Sequence, residues 1–132
     1  MKHTPINSAE AIFEFFHDPM LSGLSRWTVQ QDGARGLRLG QFWSGVQFDW
    51  EEPPAAGPAL RMSRRFDLDC AGYDRLLVSM LAPVGATVTL LAATDRGERR
   101  ASSAPFEVVK RELVLPLEGA AVVRELTLEI HA

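Results

Sequence analysis

Between Gln41 and Trp50 the chain alternates strictly, with Phe42, Ser44, Val46, Phe48 and Trp50 on one parity and Gln41, Trp43, Gly45, Gln47 and Asp49 on the other. A period of two belongs to a strand with one buried face, so the spacing predicts a strand over 41–50 with the first set turned inward. A second alternation starts near Leu60, where Met62, Arg64, Phe66, Leu68 and Cys70 oppose Arg61, Ser63, Arg65, Asp67 and Asp69. Arg64 is the polar misfit on its apolar side. The stretches Arg75 to Ala82 and Ala86 to Ala93 are apolar on both parities, the pattern of central strands covered on both faces, with Pro83 to Gly85 turning between them. Two further strands are predicted, Phe106 to Leu115 and Val122 to Ile130, the last with Leu126, Leu128 and Ile130 inward and His131 at its outer parity.

Turn chemistry separates these runs. Asp32-Gly33 lies between Trp27–Gln31 and Gly36–Leu39 and reads as a hairpin, because both residues tolerate positive φ. Asp95-Arg96-Gly97 and Glu118-Gly119 read as turns, and the prolines and glycine of 51–58 forbid a ladder and make a loop. Ahead of the strands, Asn7 and Glu10 form a capping-box-like start, followed by the apolar stripe Ile12, Phe13, Phe15 and Phe16, with Asp18-Pro19 as a stop. A short helix over 7–17, packed on the body of the domain, is the expectation. The chain divides into an N-terminal arm with this helix, residues 1–22, and a body over 23–132. About eight short strands spaced by turns describe an all-β, antiparallel β-sandwich with a short N-terminal helix.

Composition narrows the partners. The 132 residues are 46% hydrophobic and 23% charged, the balance of one folded domain rather than a disordered chain. A net charge of −3 with arginines spread along the sequence gives no basic field for nucleic acid. The longest uncharged stretch, Leu76 to Thr94, contains threonine, glycine and Pro83, so it reads as two strands and not as a membrane span. The single cysteine, Cys70, excludes an internal disulfide and a cysteine metal cluster, and reads as a small buried hydrophobe. The protein is cytoplasmic if Met1 is the native start and secreted if the chain is an excised module.

The one surface with chemistry is the polar parity of 41–50. Trp43 beside Gln41, Gln47 and Asp49 offers an aromatic plate next to amide and carboxylate groups, which suits stacking on a sugar or docking a partner. The competing reading covers Trp43 with the 7–17 helix or the Pro53–Pro58 loop, while Trp27 and Trp50 read as core or rim. Asp67 and Asp69 share a strand face about 7 Å apart, a spacing that also fits paired-carboxylate hydrolysis, but nothing nearby supplies a cleft or a raised pKa. Glu51 and Glu52 with Asp49 form a cluster of hard oxygen ligands that suits calcium. His3, His17 and His131 lack metal-ligand spacing, and no Gly-x-Ser-x-Gly elbow or phosphate-cradling glycine loop is present. No catalytic residue is assigned.

From Phe66 to Ile130 the order of motifs is Phe66-Asp67-Leu68-Asp69, Gly72-Tyr73-Asp74-Arg75-Leu76, Ala82-Pro83-Val84-Gly85-Ala86, Thr94-Asp95-Arg96-Gly97 and Leu115-Pro116-Leu117. This half of the chain resembles the galactose-binding-domain-like jelly rolls found among carbohydrate-binding modules and accessory domains of glycoside-active enzymes. The resemblance implies an eight-stranded jelly roll that binds sugars through loops at one end or a concave face, often with a structural calcium, and usually appended to a catalytic domain. No ligand or calcium position carries over residue by residue.

The expected function is therefore a non-catalytic carbohydrate-binding or accessory module of a larger glycan-active enzyme. It would present Trp43, Gln41, Gln47 and Asp49, or the loop from Asp95 to Arg99, to a glycan or oligosaccharide. The alternative is a structural or assembly domain whose outer face is buried against a catalytic domain or an identical chain.

Overall fold

A computed structural model describes the backbone at residues 27–30, 33–42 and 45–132, with side chains throughout except at 40–42, 45–47 and 66. The arm of residues 1–22 and its expected helix lie outside the described residues. Among these residues there are nine strands: β1 (Thr28–Val29), β2 (Arg38–Phe42), β3 (Gly45–Asp49), β4 (Leu60–Asp69), β5 (Arg75–Met80), β6 (Thr87–Thr94), β7 (Gly97–Ser102), β8 (Arg111–Pro116) and β9 (Val122–His131). They form a five-stranded sheet in the order β1-β4-β9-β6-β7 and two ribbons, β2-β3 and β5-β8. Every pairing is antiparallel.

Both ribbons pack on one face of the large sheet, giving a β-sandwich-like, all-β architecture. Val88, Leu90 and Ala92 of β6 and Ile130 and Val123 of β9 are buried to 1% exposure or less, and β5 and β8 supply Leu76, Val78, Met80, Leu113 and Leu115 against them. Leu39, Phe48 and Trp50 of the β2-β3 ribbon and its flank complete one end of this core. Phe48 and Trp50 stack with ring centroids 5.9 Å apart. At full burial each large side chain contributes about 1.5–3 kcal/mol, so this face holds the two layers together. The opposite face of the large sheet carries a polar ladder in which Arg61 bonds Glu129 at 2.8 Å and Thr89 bonds Ser102 at 3.1 Å.

Four sequence expectations change. The chain reverses between Phe42 and Gly45, which are register partners, so 41–50 is a hairpin and not one strand. β1 pairs with β4, with Val29 opposite Met62, instead of forming a hairpin with β2. Gly33 is required for another reason: a Cβ there would collide with the Ala59 carbonyl, which accepts a hydrogen bond from Ala34 N–H at 2.9 Å. β5 is not a central strand, since it pairs only β8 among the described residues and alternates between exposed and half-buried positions. The strand expected from Phe106 begins at Arg111; Phe106 instead plugs the core from an irregular segment, 1% exposed, its N–H on the Ala86 carbonyl at 2.8 Å.

Candidate functional site

The register of the β2-β3 hairpin separates the residues that alternation had grouped. Gln41 pairs with Val46 and falls in the rows of Leu39 and Phe48, whereas Gln47 pairs with Gly40 and falls in the alternate rows with Asp49 and Arg38. The reversal between Phe42 and Gly45 exchanges the parity on which the single-strand reading depended. Trp43 lies outside the described residues, as does Ser44. Asp49 is engaged across the hairpin, its two oxygens accepting from Arg38 Nε at 2.8 Å and a second guanidinium nitrogen at 3.0 Å. That hydrogen bond, reinforced by the carboxylate charge, raises the Arg38 pKa further.

The acidic cluster considered for calcium does not fit a cation. Glu52 accepts from Arg35 at 2.9 Å and Glu51 lies 3.9 Å from the same guanidinium, while Asp49 is held by Arg38. Each carboxylate thus faces an arginine, and among the described residues no three acidic, histidine or cysteine side chains converge. Asp69 spends one oxygen on the Ala71 N–H at 3.0 Å, a local turn that begins the loop after β4. Cys70 is buried in the core, and that burial, followed by the charge of Asp69, pushes its thiol pKa up.

The built concavity lies elsewhere, at the end of the sandwich where three loops meet. Residues 70–74 follow β4, 94–97 join β6 to β7, and 117–121 lead from β8 into β9. Cys70 N–H donates to the Ala121 carbonyl at 2.7 Å and Asp95 N–H to the Val122 carbonyl at 3.1 Å. Asp95 returns the link, one carboxylate oxygen accepting from the N–H groups of Ala121 at 2.9 Å and Val122 at 3.0 Å. These bonds, that from Val122 foremost, outweigh desolvation and hold the Asp95 carboxyl below the usual carboxylate range. Asp95 therefore braces the loops, so the loop considered as a sugar contact has an internal task at this residue.

Arg99 fastens the third loop. Its guanidinium, with the side chain 17% exposed, donates to the carbonyls of Leu117 at 2.9 Å, Glu118 at 3.3 Å and Arg96 at 3.1 Å. The Leu117 and Glu118 carbonyls belong to a tight turn in which Ala120 N–H returns to the Leu117 carbonyl at 3.1 Å and Glu118 and Gly119 have φ of 50° and 85°. Two successive positive φ angles are the signature of a type I′ turn, and Glu118 is the only non-glycine residue with positive φ among the described residues.

Between the first and third loops opens a depression of about 510 Å³, lined by Ala71 to Asp74 on one wall and Pro116 and Glu118 to Ala121 on the other. Its volume falls within the range of about 300–1,000 Å³ common for small-molecule clefts. Tyr73 packs against the core cluster and contributes an aromatic edge to the wall. Asp74 and Glu118 are lining residues on opposite walls; the Glu118 carboxylate is 71% exposed and 3.8 Å from Arg99, and the Asp74 carboxylate stands 3.5 Å from Arg75. The Leu117 N–H donates to the Asp74 carbonyl at 2.9 Å and joins the walls directly. Gly72-Tyr73-Asp74 and the Glu118-Gly119 turn are separate motifs in the sequence; the pairings of β5 with β8, Arg75 opposite Pro116, and of β4 with β9, Asp69 opposite Val122, bring them together.

Compared with known protein families, curated proteins and solved structures, the chain matches none. The residues lining the depression include no serine, cysteine or histidine. What the arrangement offers is a depression between loops bonded to one another, with Tyr73 and Asp74 on one wall and Glu118 on the other.

Proposed function

We propose that the protein is a non-catalytic carbohydrate-binding module of the jelly-roll type, an accessory to glycan-active chemistry, and that its sugar site is the depression at the loop end. The observation that carries this reading is the depression's lining, which includes Tyr73, Asp74 and Glu118 on two loops joined by the Cys70–Ala121 and Leu117–Asp74 backbone bonds, the second of those loops fastened in turn by Asp95 and Arg99. Carboxylates accept hydrogen bonds from sugar hydroxyls, and the face of an aromatic ring takes the apolar C–H side of the sugar. Because the loops are already bonded to one another, little ordering entropy opposes binding. Single sites of this open kind bind weakly, and their use lies in holding a linked partner near a polymer.

The test is a glycan array with the purified chain, followed by titration of any hit against Asp74→Asn, Glu118→Gln and Tyr73→Leu, the last chosen to keep a hydrophobic side chain on the core. The reading expects a hit whose affinity falls about tenfold or more in at least two of the three variants. A hit insensitive to all three moves the site away from the depression. No hit on any glycan, with a folded chain, removes the sugar-binding function.

A further inference from the structure

The outward face of the β5-β8 ribbon is apolar where strand alternation would place polar groups. Its rows are Arg75 opposite Pro116, Leu77 opposite Val114, and Ser79 opposite Glu112. Leu77 is 51% exposed and Val114 42%, and Leu81, Val84, Val108 and Val109, in the segments that follow β5 and precede β8, are all at least half exposed. A ribbon with one face in the core should turn polar side chains to water on the other, and an exposed apolar row at its centre marks a contact surface.

We propose that this face binds a second copy of the chain in an isologous dimer. The argument is the placement of charge about the apolar centre. Arg75 marks one end of the face and Glu112 the other, with the Leu77–Val114 row midway. A two-fold axis through that middle row lays the Arg75–Pro116 row of each copy over the Ser79–Glu112 row of the other. Leu77 and Val114 then meet their own counterparts, and each Arg75 reaches a Glu112 across the interface, twice by symmetry. Arg75 is 40% exposed and already pairs with Asp74 at 3.5 Å, a half-exposed ion pair that the Glu112 contact joins or replaces. A face of three rows belongs at the small end of specific interfaces, below about 1,200 Å² in total, so association is weak and concentration-dependent. The inference does not rest on the sugar reading, although the face adjoins the depression: Pro116 belongs to both, and Arg75 pairs with Asp74 of its wall.

Sedimentation equilibrium of the full chain from about 1 µM to 1 mM tests it. The expected result is a weight-average mass rising from monomer towards dimer. Leu77→Lys should raise the dissociation constant about tenfold or more, Arg75→Glu should weaken the dimer, and Arg75→Glu combined with Glu112→Arg should restore it. Circular dichroism confirms that these exposed substitutions leave the fold intact. A wild type that stays monomeric over the range overturns the inference, and if hydrogen exchange then shows β5 and β8 protected, residues of the same chain cover the face. A dimer untouched by Leu77→Lys and by the charge reversal overturns it too. Glycan binding by a monomeric wild type would leave the sugar reading standing.

Discussion

Replacing Arg99 with alanine should loosen the wall of the depression at one point. The guanidinium is mostly buried and its shortest bond, 2.9 Å to the Leu117 carbonyl, is charge-assisted, whereas the contacts at 3.1–3.4 Å to Arg96, Glu98 and Glu118 carbonyls are exposed. A hydrogen bond to a charged group contributes about 1.5–3 kcal/mol, and the exposed contacts add little. The ion pair with Glu118 spans 3.8 Å to a side chain that is 71% exposed, so it contributes almost nothing. Arg99→Ala should therefore cost about 2–3 kcal/mol, and Arg99→Lys about 1–2 kcal/mol because it keeps the stem and one donor but not the planar fork. Urea titration gives both values from the shift in midpoint at constant slope. Amide exchange at Ala120, whose N–H closes the turn onto Leu117, should accelerate in the same order. A loss below about 0.5 kcal/mol in Arg99→Ala would show that water replaces the guanidinium at these carbonyls and that the brace is dispensable.

Phe106→Ala, at a fully buried plug between Ala86 and the Arg111 guanidinium 5.0 Å above its ring, should cost about 3–5 kcal/mol by thermal unfolding; a cost under about 1 kcal/mol would mean that the 103–110 segment is not anchored by its side chain. The folded-state pKa of Asp95 lies below its unfolded value, so its contribution is fully present above the ordinary carboxylate pKa of about 3.9 and is lost as pH falls through the depressed value. Asp95→Asn should thus lower the midpoint at pH 7 and converge with the wild type in acid, and a gap constant from neutral to acid pH would refute the assignment. Glu118→Asn, at a left-handed position that asparagine tolerates better, should raise stability by about 0.4–1 kcal/mol while weakening glycan binding, measured by denaturation and titration of the same sample. Equal or lower stability would show that the turn is not strained by Glu118.

Much of the large sheet was legible because its strands obey local rules. β4 and β9 follow apolar periodicity, β6 is apolar on both parities as an interior strand between β9 and β7 should be, and Asp95-Arg96-Gly97 and Glu118-Gly119 turn where glycine can take the positive φ they require. Leu126, Leu128 and Ile130 face inward as their spacing demands, but Val123, on the other parity, is also buried, because the register shifts between Glu125 and Val123 against both neighbours. Such a bulge leaves no mark in a hydrophobic pattern. The hairpin between Phe42 and Gly45 was hidden for a related reason: Trp43-Ser44 carries no turn chemistry, so unbroken alternation ran across a reversal and grouped Gln41 with Gln47 and Asp49. Gly33 misled in the opposite sense, being needed for close approach to Ala59 where a turn was expected. β5 read as central because Leu77 and Leu81 are apolar on the parity that faces outward, and that mismatch is the basis of the dimer. The depression itself joins residues about fifty positions apart, and only strand pairing reveals such a neighbourhood.

The most direct test of the sugar-site assignment is a nitrogen-15 correlation spectrum of the labelled chain titrated with the best oligosaccharide from the array. The account predicts that amide shifts concentrate at residues 71–74 and 117–121, saturate together, and disappear in Asp74→Asn. Shifts confined to the β2-β3 hairpin, with the loop amides unmoved, would contradict it and return the site to the surface of Trp43.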